Sequence, residues 1–172
     1  KMRLTAYYAR FADITNLYSF YHDDYGSFVN YSMTGIGKEN MGVELGLEVK
    51  LGSMFSIVLA GNYGDYTYCT RPNVTMSADN GYDLLGDGKT EYTEQVYWKN
   101  FHVAGTPQVA GTIGLKFNHK YWYVNINANY FDKIYCDLNP ERRTSEARGT
   151  MEVTDPLYQA MVAQERLKGQ FT

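Results

Sequence analysis

The sequence predicts an all-β fold: an antiparallel segment of a transmembrane β-barrel, with about five strands and the start of a sixth. Three observations carry this: period-two alternation of apolar and polar residues, strands longer than a globular sheet needs, and connections that alternate between short and long. In residues 41–51 the odd positions are Met41, Val43, Leu45, Leu47, Val49 and Leu51, and the even ones Gly42, Glu44, Gly46, Glu48 and Lys50. Successive side chains of a strand point to opposite faces, so this segment has one apolar and one polar face. A helix would spread the same charges around its whole circumference.

The other elements follow in order. Residues 2–14 are strand-like, with no clear register. Residues 15–40 form a long connection with room for strand extensions. After 41–51, Gly52 and Ser53 make a tight turn into a strand at 54–69, where Phe55, Ile57 and Leu59 oppose Ser56, Ala60 and Asn62. Residues 70–97 are a long link rich in Gly, Asp and Asn. Val109, Ile113, Leu115 and Phe117 then alternate with Ala110, Thr112, Gly114 and Lys116. Beyond a short link at 118–120, Trp122, Val124, Ile126, Ala128 and Tyr130 alternate with Tyr123, Asn125, Asn127 and Asn129. The last long link, 137–168, contains a short helix with Asp155 as N-cap and Pro156 at its first position. A strand restarts after Gly169. Gly105-Thr106-Pro107 interrupts a strand, and because Pro donates no ladder hydrogen bond, that site must be a bulge or lie at the rim.

Strand length and aromatic placement point the same way. A strand of ~11–14 residues spans roughly 36–46 Å at ~3.3 Å per residue, whereas ordinary strands have ~5–6 residues. An apolar band ~25 Å tall takes ~9–11 tilted residues. Phe55, Phe117, Tyr121, Trp122 and Tyr123 lie by the short turns, and Tyr63, Tyr66, Tyr68, Tyr130, Phe131 and Tyr135 towards the long links. Two interfacial girdles are expected from that distribution.

Composition narrows the chemistry. Among 172 residues Tyr is the commonest at 17, with 16 Gly and 4 Pro. The mean hydropathy of −0.44 fits a barrel, where alternate residues face a polar interior. No run approaches the ~20 apolar residues of a spanning helix. A net charge of −3 with scattered Lys and Arg gives no basic stripe, so no nucleic-acid partner is expected. No charged-then-apolar leader follows Lys1. Cys69 and Cys136 lack CxxC spacing. They fall on strands two apart, ~10 Å, too far for a disulfide.

No catalytic, metal or cofactor site is expected. His22-Asp23-Asp24 holds ligand types side by side, but neighbours on a strand point apart and no third ligand is evident. His102 and His119 have no obvious partners, Glu91 and Glu94 look like a solvated pair, and Asn73-Val74-Thr75 matches a glycosylation pattern common by chance. The informative charges are Glu44, Glu48, Lys50 and Lys116, on the polar faces of their strands. They are expected to face the barrel lumen, where they could pair with each other or with what fills it; the alternative is the solvated face of a soluble sheet.

At this point the residues resemble a known family. Phe28-Val-Asn-Tyr-Ser-Met-Thr-Gly-Ile, the alternating strand at 41–51, Ala104-Gly-Thr-Pro-Gln-Val-Ala-Gly, Tyr121-Trp-Tyr-Val-Asn-Ile-Asn-Ala-Asn-Tyr-Phe-Asp and Leu138-Asn-Pro-Glu-Arg-Arg-Thr look like the C-terminal barrel of TonB-dependent outer-membrane receptors. The likeness is strongest to those with a carboxypeptidase-regulatory-like extension and to SusC-like relatives, and it covers nearly all of residues 1–172. It implies a 22-stranded barrel in the outer membrane of a Gram-negative bacterium, filled by an N-terminal plug. It further implies TonB-driven import of a nutrient such as a glycan, peptide or siderophore, and leaves room for a capping surface lipoprotein. On that reading the plug, the TonB-contacting region and the earlier strands lie outside residues 1–172. Met41, Val43, Leu45, Leu47, Val49, Val109, Ile113, Leu115, Trp122, Val124 and Ile126 then face lipid. Glu44, Glu48, Lys116, Asn125 and Asn127 face inward, and the first and last strands keep unpaired edges. The competing reading is a secreted all-β sandwich that binds sugar or protein through Tyr-rich faces.

Overall fold

Alternation becomes one antiparallel eight-stranded sheet in the computed structural model, which describes residues 1–22, 26–81, 83 and 88–172. The strands are β1 (Met2–His22), β2 (Ser27–Leu51), β3 (Phe55–Tyr68), β4 (Asn73–Ala78), β5 (Glu91–Gln95), β6 (Val109–His119), β7 (Trp122–Asp132) and β8 (Gln170–Phe171). β1 runs along one side of β2; along the other side lie β3 below and β4 above. From β3 the sheet continues through β6 and β7 to β8, and from β4 to β5. No second sheet covers it among the described residues, so the two-sheet sandwich does not form within this chain.

Two connections differ from expectation. Residues 15–40 are mostly strand: β1 has 21 residues and β2 has 25, joined at 23–26. The link at 70–97 contains the β4–β5 hairpin. Both extensions alternate. Val29, Tyr31 and Met33 of β2 and Val74 and Met76 of β4 are buried, while Asn30, Ser32, Asn73 and Thr75 between them are not.

Register sorts the side chains, because cross-strand partners share a face. One row reads Met2, Leu47, Leu59, Ile113 and Ala128. The rows below it hold Val49, Ile57, Leu115 and Ile126, then Leu51, Phe55, Phe117 and Val124. Above come Leu4 and Leu45, then Ala6, Val43, Tyr63 and Val109, then Tyr8 and Met41. The apolar set expected from alternation thus lies on one continuous face. The opposite face carries Thr5, Glu44, Asn62 and Ala110 in one row, and Lys50, Ser56, Lys116 and Asn125 in another.

The girdle expectation needs correction. Phe55, Phe117, Trp122, Tyr63 and Tyr130 do lie on the apolar face. Tyr66, Tyr68, Tyr123 and Phe131 fall on the polar face, because they share parity with Asn62 and Asn127. A residue pointing away from the apolar face cannot line its margin. Tyr8 and Phe171, outside the expected set, lie on the apolar face and are exposed.

Higher up, the face that is buried changes parity. Between Phe11↔Lys38 and Asn16↔Met33 the β1–β2 register shifts at Ile14↔Ile36, where Asp13 (φ 55) and Gly35 (φ 73) take left-handed backbone. Glycine adopts this conformation without steric cost, as a bulge needs. Consequently Val29, Tyr31 and Met33 continue the polar face below, together with Ile36 and Lys38. There they form a core with Tyr68, Val74, Met76, Val96, Trp98 and Leu138. The connecting segments therefore fold in over the polar face and leave the apolar face bare.

The remaining features follow the sequence closely. Val103 N donates to Tyr66 O and Gly64 N to Gln108 O, so residues 104–107 bulge out and Pro107 needs no ladder partner. A short helix α1 (Ser145–Arg148) and a second, α2 (Pro156–Val162), lie in the last connection; Asp155 caps α2 by accepting from Leu157 N. Cys69 and Cys136 are free thiols. The sheet is not closed. Among the described residues β1 has a strand partner on one side only, and β7 meets the chain's end at Tyr130↔Phe171, Phe131↔Gln170 and the backbone bonds between Asn129 and Thr172, leaving 122–128 open on that side.

Candidate functional site

The polar face is a trough, because small residues form its floor. Gly46, Ala60 and Ala110 leave a hollow of about 490 Å³, with Arg3, Glu44 and Asn62 beside it. A neighbouring hollow of about 290 Å³ is bordered by Glu48 and Lys116. A third of about 340 Å³, towards the outer end, is bordered by Tyr7, Asn40 and Tyr66.

Glu44, Glu48, Lys50 and Lys116 therefore share one face, as alternation requires. The structure does not pair them. Glu44 lies in the row of Asn62, Glu48 opposite Val58, and Lys50 in the row of Lys116. Among the described residues the ion pairs lie elsewhere. Second-neighbour strands are ~10 Å apart, which keeps Lys50 and Lys116 from contact and leaves both open to an outside partner.

Sequence reasoning missed the best-ordered polar group of the trough. Tyr7 Oη donates to Asn62 Oδ1 at 2.9 Å and meets Tyr66 Oη at 2.6 Å, while Asn62 Nδ2 donates to Tyr66 Oη at 2.9 Å. Tyr7 lies across Gly42; a β-carbon there would come within 2.7 Å of both Tyr7 Cζ and the Tyr63 carbonyl. Gly42→Val should therefore evict Tyr7 and destabilise the sheet by about 1–3 kcal/mol, the usual cost of overpacking. A denaturation midpoint unchanged from wild type would show that Gly42 is not needed for this close approach.

Other candidates resolve differently. His102 has partners after all: its Nδ1 is 3.1 Å from Gln108 Nε2 and 3.5 Å from Asp65, and its ring stacks on Tyr135 at 4.0 Å. Gln164 clamps this site, accepting from His102 N and donating to the carbonyls of His102 and Cys136. Glu91 and Glu94 are not a solvated pair. They sit on opposite faces of β5, and Glu94 Oε1 accepts from Ser145 Oγ and from Glu146 N. His119 stacks on Phe117 at 6.4 Å. Asn73 and Thr75 lie in β4. Asp23 and Asp24 lie outside the described residues, so the His22-Asp23-Asp24 motif is not placed as a unit.

The apolar face ends in charge at its upper margin. Arg10 pairs with Glu39 at 3.6 Å. Arg166 spans both oxygens of Asp132 at 2.7 and 2.8 Å, which raises the Arg166 pKa through that hydrogen bond. Lys133 Nζ donates to Tyr63 Oη at 2.9 Å. Below this collar, Leu45, Ile113, Val124 and Ile126 are exposed, with nothing among the described residues covering them.

No family model, curated protein or solved structure matches this chain.

Proposed function

We propose that this chain forms part of the wall of an outer-membrane β-barrel that imports a nutrient, in the manner of TonB-dependent receptors. One observation carries the reading: an uncovered apolar face crosses five paired strands, is bordered outside by Arg10–Glu39, Asp132–Arg166 and Lys133, and backs onto a polar trough. From Met41 to Leu51 the band covers ten residue steps, about 34 Å along the strand, or about 26 Å in height at ~40° of tilt. That matches the ~25 Å apolar band of such barrels. A monomeric soluble protein rarely exposes so large a contiguous apolar patch.

The open edges of β1 and of β7 at 122–128 support the same proposal. Open ladder groups are not viable in lipid, so further strands of the same polypeptide would pair with them. Glu44, Glu48, Lys50 and Lys116 would then face the lumen and meet a plug. TonB would be engaged by a region outside residues 1–172, and a surface lipoprotein could cap the outer end.

Single-cysteine scanning tests this, with Cys69 and Cys136 replaced by Ser. Spin labels at Val43, Leu45, Ile113 and Ile126, in outer-membrane preparations, should be relaxed by oxygen and protected from a water-soluble nickel chelate. Labels at Glu44, Thr112 and Asn125 should show the reverse. Equal nickel access on both faces would favour a water-exposed sheet and end the barrel proposal.

A further inference from the structure

Near the outer end of the sheet, away from the trough, a pocket of about 170 Å³ is lined by Arg71, Lys99 and Arg143 with the rings of Tyr97, Phe101 and Tyr158. Three cations meet there without a lining carboxylate, in a chain whose net charge is −3. Local structure builds it. Asn100 (φ 73) turns the chain back after Trp98, with Phe101 N donating to Trp98 O. Tyr97 N donates to Arg143 O, joining this turn to the last connection. The Arg71 guanidinium lies 5.1 Å from the centre of the Tyr97 ring, and that of Arg143 lies 5.0 Å from the centre of Phe101. Glu94, three residues before Tyr97, does not line the pocket; its Oε1 accepts from Ser145 and Glu146, and its Oε2 is buried without a hydrogen-bond partner.

Arg143 is the key observation. It is only 4% exposed. Nη1 and Nη2 donate to the carbonyls of Asn139, Val162 and Ala163, which satisfy donors without neutralising the charge. Its Nε is buried and has no partner. A buried guanidinium without a counter-charge, with a donor to spare, is costly. An oxyanion would supply both the acceptor and the charge.

We propose that this pocket binds an oxyanion, the carboxylate or phosphate of a small ligand, with Arg143 at its floor and Arg71 and Lys99 at its rim. The three rings offer flat faces to the body that carries the anion. The inference is independent of the barrel proposal, since every group named lies in the outer connections.

Calorimetric titration tests it, using protein extracted intact in detergent at low salt. The probes are inorganic phosphate, glucuronate and neutral glucose. Phosphate, glucuronate or both should bind and glucose should not; the anion preferred identifies the ligand chemistry. Arg71→Gln and Lys99→Gln, both at exposed positions and so not expected to disturb folding, should each weaken binding about five- to tenfold. Added salt should weaken it further. The proposal is overturned if neither anion binds at about 10 mM, the millimolar limit of weak recognition. It also fails if the Arg71→Gln/Lys99→Gln double variant binds as well as wild type, or if glucose binds equally.

Discussion

If the sheet is a barrel wall as proposed, arginine in place of Ile113 is expected to cost about 2–4 kcal/mol of membrane-embedded stability, the penalty for a cation at a lipid face near mid-height. Ile113 is 55% exposed and sits in the row of Leu47, Leu59 and Ala128, midway up the apolar band. The neighbouring substitution Thr112→Arg is the internal control. Thr112 points into the trough in the row of Ala60 and Asn129, where an extended cation stays hydrated, so its cost should remain below about 1 kcal/mol. Urea unfolding in phospholipid vesicles, on the barrel that the proposal requires, measures both. In water an arginine on an exposed sheet face costs almost nothing. Equal costs at 112 and 113 would therefore contradict the lipid assignment.

The second large effect is local. Arg143→Met keeps much of the side-chain volume but leaves the carbonyls of Asn139, Val162 and Ala163 without their donor. Bonds to a charged group contribute about 1.5–3 kcal/mol each, and the three are not additive. A local loss of about 3 kcal/mol is expected, or roughly a 100-fold rise in opening. Burial and the adjacent Arg142 already lower the Arg143 pKa; it remains charged at any physiological pH. Hydrogen exchange should accelerate at Gln159, whose amide bonds to Asp155 O within α2, while β3 and β6 amides stay protected. Arg143→Lys should restore only part, because an ammonium cannot present the same fork to several acceptors. Unchanged exchange at Gln159 would mean that α2 is held by its other contacts.

The lower sheet was legible because nothing interrupts the alternation at 41–51, 109–117 and 122–130. The same rule, carried upward by parity, assigns Tyr66 and Tyr68 to the face of Asn62. Grouping aromatics by nearness to a strand end instead obscures this. The upper halves of β1 and β2 were harder. Val29, Tyr31 and Met33 alternate cleanly, but at Gly35 the buried positions pass from odd to even, so a single period cannot span 27–51. The outer pocket was not legible at all. Arg143 reaches it through Tyr97, 46 positions earlier, by one backbone bond, and no local pattern encodes that meeting. Glu94 likewise looks solvated until Ser145 and Glu146 fold onto it.

The extra residue at Gly35 lets a single pair of strands present apolar side chains to opposite faces of the sheet. Below it, odd-numbered side chains of β2 look outward and are greasy; above it, odd-numbered side chains look inward and are greasy again. Strict alternation through the bulge would turn Val29, Tyr31 and Met33 outward, and the outer connections would lose the surface on which they settle. In exchange, Asn30 and Ser32 would be turned into the apolar cluster that holds Val74, Met76 and Val96. The bulge works as a points switch on a railway. One unpaired residue sends the same apolar traffic to one face of the sheet along the lower track and to the other along the upper, so the connections that cover the upper half can vary without rewriting the strands beneath them.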